Sequence, residues 1–121
     1  MDNLLSGKRV MYPDAVPTRQ APASSDTYAL EIWNRLTLVE LNPQEAGTIN
    51  LTIDAECPDG AQIIVDVNQD ATGRAITMGS GIEGDDLGGV ANDKVTIVMV
   101  YNKTAGNFRV VSIYNTVDAA P

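Results

Sequence analysis

The chain has 121 residues, enough for one domain, and 44% of them are hydrophobic, enough for a real core. Sixteen Asp and Glu face eight Lys and Arg, a net charge of -8, so the body repels nucleic acid and anionic membranes and no partner of either kind is expected. There is no histidine and one cysteine, Cys57, which excludes an intramolecular disulfide, a Ser–His relay and a zinc site of the usual ligands. No cofactor or metal is expected.

Residues 1–27 read as an extended N-terminal attachment arm. Pro13, Pro17 and Pro22 remove backbone donors and favour extended paths over helix or central strand. Asp2, Asp14 and Asp26 balance Lys8, Arg9 and Arg19, so the arm is neutral and the excess acid lies beyond it. Arg9, Val10, Met11, Tyr12 and Arg19 are the anchors such an arm would lay on a partner. No apolar run of seven or more follows the basic pair, and none approaches the ~20 residues that span a bilayer. Neither a signal peptide nor a membrane anchor is expected.

Residues 28–121 read as the folded domain, with short β-rich runs bounded by Gly, Pro, Asn and Asp. Strands are predicted near 28–40, 48–54, 61–68, 74–79, 94–101 and 107–114. The first is ambiguous, since Leu30, Trp33 and Leu36 also fit a helix face, but Thr37, Val39 and the alternation of Leu36, Leu38 and Glu40 favour strand in its second half. Ile49, Leu51 and Ile53, then Ile63, Val65 and Val67, then Val95, Ile97, Met99 and Tyr101 keep a period of two, which gives each strand one dry face. Asn102 to Gly106 suits a hairpin turn. Glycines at 79, 81, 84, 88 and 89, with Glu83, Asp85, Asp86 and Asp93, predict a long exposed acidic loop. No internal repeat is visible. The expected fold is all-β, an antiparallel jelly-roll-like sandwich behind the arm.

The chemistry-bearing candidates are few. Asp66, Asn68 and Asp70 sit at alternate positions as in the first half of a calcium loop, but Ala71 replaces the required glycine and Thr77 the bidentate glutamate. The reading preferred there is a strand end followed by a turn from Asp70 to Gly73. Cys57 stands in a Cys-Pro-Asp-Gly turn with no neighbouring cation to activate it, and reads as a structural thiol. Trp33, just beyond the arm, is the candidate subunit contact. A hydrolase or isomerase using exposed carboxylates would need a deep pocket with a carboxylate of raised pKa. No catalytic residue is assigned.

Gly60 to Gly73 (GAQIIVDVNQDATG), RAITMGSGI at 74–82, VTIVMVYN at 95–102 and FRVVS at 108–112 run as strand, acidic turn, strand, glycine loop and hairpin. Carried by these residues, the stretch from Gly47 to Tyr114 resembles a β module of bacteriophage virion proteins, among them capsid decoration and head-fibre proteins and some tail-fibre parts. The resemblance implies a viral structural protein without enzymatic activity, often a homotrimer, whose partner is the major capsid protein or another virion protein. With no heptad stalk, a capsid decoration or head-fibre role on the outer capsid surface is favoured over a tail fibre. The alternative is a tail or receptor-binding module that recognises host surface glycan through the glycine-rich loop.

Overall fold

A computed structural model describes residues 19–44 and 47–116. Nine strands are present among them: β1 (Arg19–Gln20), β2 (Thr27–Leu30), β3 (Leu36–Leu41), β4 (Ile49–Ile53), β5 (Gln62–Asn68), β6 (Ile76–Met78), β7 (Ile82–Glu83), β8 (Lys94–Asn102) and β9 (Asn107–Asn115). They form a six-stranded sheet in the order β1-β3-β5-β8-β9-β7 and a three-stranded sheet in the order β2-β4-β6. The chain alternates between the two sheets as it climbs, and β1 pairs with β3, β3 with β5, β2 with β4 and β4 with β6, all parallel. The result is a β-solenoid of about three turns, closed by the antiparallel strands β8 and β9.

The antiparallel sandwich expected from the sequence is therefore wrong. Alternation with a period of two reports which face of a strand is dry and is silent about strand direction. Direction follows from the connections: parallel neighbours need a crossover, and from β1 to β6 each crossover contains a strand of the opposite sheet. Arg19 stacks on Leu38 and Leu36 on Gln62, so successive turns differ in length, and the structural repeat leaves no repeat in the sequence. The run at 28–40 divides in two, because residues 31–35 form a corner that carries the chain from one sheet to the other. Thr37 holds that corner, its Oγ1 accepting from the Trp33 N–H at 3.1 Å.

Inward residues stack in rows across the coils. Thr37, Ile63 and Met99 form one row of the larger sheet, Val39, Val65 and Ile97 a second, and Leu41, Val67 and Val95 a third. Tyr28, Leu51 and Met78 face them from the smaller sheet. All twelve belong to one buried cluster or line it, and removing them from water is the main stabilising contribution of the fold.

Polar side chains close the corners. The side-chain amide of Gln20 accepts from the Glu31 N–H and donates to the Glu31 carbonyl, joining two corners of the first turn. Gln69 does the same for Arg74, at 2.9 and 2.6 Å. Arg74 is buried, and its guanidinium donates to the Pro43 carbonyl and to Asp70, so one side chain ties adjacent coils together.

The acidic glycine segment is exposed at Glu83, Asp85, Asp86, Gly88 and Gly89, as expected, and is pinned to the body at a few points. Gly81 has a φ of +83°, and a Cβ there would overlap the Ile53 carbonyl. Leu87 bridges to Ile76, and the Asp86 carboxylate accepts from the Met78 N–H at 2.9 Å. Glycine is used here for close approach of backbones. The predicted hairpin at 102–106 forms as expected, with β8 and β9 antiparallel around Gly106 at a φ of +74°.

Candidate interaction surface

The outward face of the six-stranded sheet carries two stripes. Pairing puts Leu38, Ile64 and Val98 in one outward row and Leu36, Gln62 and Val100 in the next. The aliphatic members are half-buried or exposed, with nothing in the chain's described residues laid over them. The neighbouring outward row, Glu40, Asp66, Thr96 and Tyr114, is polar.

The polar stripe is internally satisfied. Arg19 reaches from β1 to Asp66 on β5 at 2.6 Å, and the Thr96 hydroxyl donates to the other Asp66 oxygen at 2.6 Å. Asn68 donates to Glu40 at 3.1 Å and to Asn42 at 3.0 Å. These groups, with Lys94, Tyr114 and Thr116, line an open cleft of about 340 Å³. Its carboxylates already hold hydrogen-bond or ion-pair partners, so the cleft presents fixed polar groups.

The sheet's far edge differs again. β7 pairs with β9 only at Phe108 and Arg109, so the outer edge of residues 110–115 has no strand partner among the described residues. Val111, Ile113 and Tyr114 are exposed there, and a groove of about 350 Å³ runs between this edge and Gly84 and Asp85. Residues 110–115 contain no charged side chain or proline, and the device against further pairing that the edge does carry is a β-bulge, where Val111 is the extra residue between the partners of Val98 and Met99.

The sequence-predicted residues fall in several places. Arg9, Val10, Met11 and Tyr12 lie outside the described residues. Arg19 opens β1 and pins it to β5. Trp33 is 46% exposed at the corner between β2 and β3, its indole N–H donating to Glu31 at 2.9 Å. Asp66, Asn68 and Asp70 do not converge: they bind Arg19, Glu40 with Asn42, and Arg74 respectively. No group of three or more His, Cys, Asp or Glu placed to hold a metal ion occurs among the described residues. Glu83 pairs with Arg109 at 3.4 Å.

Cys57 is buried at the corner before β5, and burial pushes its thiol above the ordinary value. Asp70 moves the other way. The Arg74 side chain and then the Thr72 N–H, both bonded to its carboxylate, hold it below the ordinary carboxylate range.

The outward apolar stripe and the open edge are the features that sequence reasoning missed. A signal was present: QIIVDVN and KVTIVMVYN carry Ile64, Val98 and Val100 at the positions between the inward residues. Near-continuous aliphatic strands are typical where both faces of a sheet are covered.

No protein-family model and no curated protein matches this chain.

Proposed function

We propose that the chain is a non-enzymatic structural protein of a bacteriophage particle, a capsid decoration or head-fibre protein attached to the outer capsid surface through its N-terminal arm. The observation that carries this reading is the outward stripe of Leu36, Leu38, Ile64, Val98 and Val100, a sheet face built for cover by a neighbouring protein. The virion-module resemblance of residues 47–114 supports the same reading. So does the root of the arm: Arg19 joins the sheet through β1 and the Asp66 ion pair, so tension on residues 1–18 passes directly to the solenoid. The net charge of -8 suits an exterior position, away from packaged nucleic acid.

The test is immunogold electron microscopy, with antibody to this chain, on particles induced from the strain that encodes it. Label over the head shell supports the reading. Particles without label refute it, and label at the tail tip, with binding on a glycan array, selects the receptor-binding alternative.

A further inference from the structure

Residues 31–35 turn the chain from β2 into β3, and residues 54–61 turn it from β4 into β5. Between these two corners lies a hollow of about 290 Å³. Its apolar lining is Ile32 and Ala55, which pack against the core, with buried Cys57 and Pro58. The rest of the lining is exposed: Trp33, Asn34, Arg35 and Glu56.

The indole N–H of Trp33 donates to Glu31 at 2.9 Å, which holds the ring while 46% of the residue stays open. The side chains of Asn34, Arg35 and Glu56 make no hydrogen bond or ion pair with the described residues. The polar cleft on the outward sheet face is the opposite case, since Arg19, Glu40 and Asp66 are bonded within the chain. At the corner, donors and acceptors stand unused around an apolar floor.

The hollow is also preformed. Thr37 Oγ1 accepts from the N–H groups of Trp33 and Asn34, at 3.1 and 3.4 Å. The Arg35 carbonyl accepts from the Gln62 N–H at 2.7 Å, and the Pro58 carbonyl from the Ala61 N–H at 3.2 Å. The backbone on both sides is thus fixed before a ligand arrives, which lowers the ordering cost of binding.

We propose that this corner pocket binds a neutral saccharide. A sugar ring offers one face of C–H groups to pack on the indole and the aliphatic floor. Its hydroxyls accept from Arg35 and Asn34 and donate to Glu56. Charge narrows the class: Arg35 is the one cation of the lining, while Glu56 lines the same hollow and Glu31 holds the indole edge, so phosphate-bearing ligands and acidic sugars are disfavoured. A flat aromatic ligand would need a second ring to sandwich it, and Trp33 is the one aromatic residue of the lining. The pocket shares no residue with the outward stripe or with the glycine-rich segment, so saccharide binding here goes beyond the capsid-attachment reading and is tested apart from it.

Trp33 is the chain's single tryptophan, so the pocket carries its own reporter. The labelled full-length chain is screened on an array of neutral and acidic glycans, and the strongest neutral hit is titrated against the unlabelled chain. Saturable change in tryptophan emission is expected, with protection of that emission from acrylamide quenching. Trp33→Ala is expected to weaken array binding by about tenfold or more. Arg35→Ala is expected to weaken it by about tenfold, and Asp85→Ala, in the glycine-rich segment, to leave it unchanged. If Trp33→Ala does not fold, Arg35→Ala and the quenching of the wild type decide. No neutral glycan ligand, binding without any change in tryptophan emission, or binding lost in Asp85→Ala and kept in the corner variants would overturn the proposal.

Discussion

At one end of the six-stranded sheet β1 is two residues long, with Pro17 and Pro22 close by in sequence and Arg19 tied to Asp66. At the other end β9 runs nine residues, and β7 covers two of them. Both strands expose peptide groups at a sheet edge; the first is shortened and charged, whereas the second is long and uncharged and is interrupted by a β-bulge at Val111. The comparison teaches that openness here is a local property of composition: residues 110–115 have neither proline nor charge, and the aliphatic side chains that would be buried in a longer sheet stand exposed.

The largest effect that sharpens this contrast lies within a single row. Ile97→Ala empties a fully buried position and is expected to cost about 3 kcal/mol. Ile113→Ala, one strand further out, is expected to cost under about 1 kcal/mol. Urea unfolding at a concentration that keeps the chain monomeric measures both, and equal costs would mean that the edge is covered by the chain itself.

Gly81→Ala tests the segment that leads to β7. The positive φ and the Ile53 carbonyl in the path of a Cβ make a loss of about 2 kcal/mol the expected outcome in the same unfolding assay. A neutral substitution would show that this loop does not pack on β4.

Arg19→Ala probes the closed end. Its ion pair is about a third exposed on each side, so solvent screening limits the loss to under about 1 kcal/mol. A larger loss in thermal or urea unfolding would show that the pair, rather than the shortness of β1, secures that edge.

The smallest effect is acid-dependent. Because Asp70 is held below its ordinary value of 3.8, its carboxylate contributes stability that is fully present above that value and is lost as pH falls through the lowered native value. Asp70→Asn is therefore expected to be less stable than the wild type at neutral pH, with the gap narrowing below pH 3.8 and closing at still lower pH. A gap independent of pH would place the Arg74 contact outside the titrating equilibrium.

Much of the strand map was legible because alternation marks inward residues: Ile49, Leu51 and Ile53, like Val95, Ile97, Met99 and Tyr101, are buried as their spacing implies. The hairpin at 102–106 was legible from its turn residues. Strand direction was not, since Val39 beside Val65 and Ile97 beside Val65 read identically in sequence although one pair is parallel and the other antiparallel. The exposure of Glu83, Asp85 and Asp86 was legible from composition, whereas the close contact of Gly81 with Ile53 was not, because glycine marks both exposed turns and tight backbone contacts. For the interaction surface, Arg19 and Trp33 were visible as residues, but the stripe through Leu38, Ile64 and Val98 required the register that stacks three coils.

Amide hydrogen exchange read residue by residue compares the closed and open positions most directly. The Ile113 amide is predicted to exchange near the rate of a solvent-exposed amide, while Ile97 exchanges only through global unfolding. An Ile113 amide as protected as that of Ile97 would contradict the open edge on which the comparison rests.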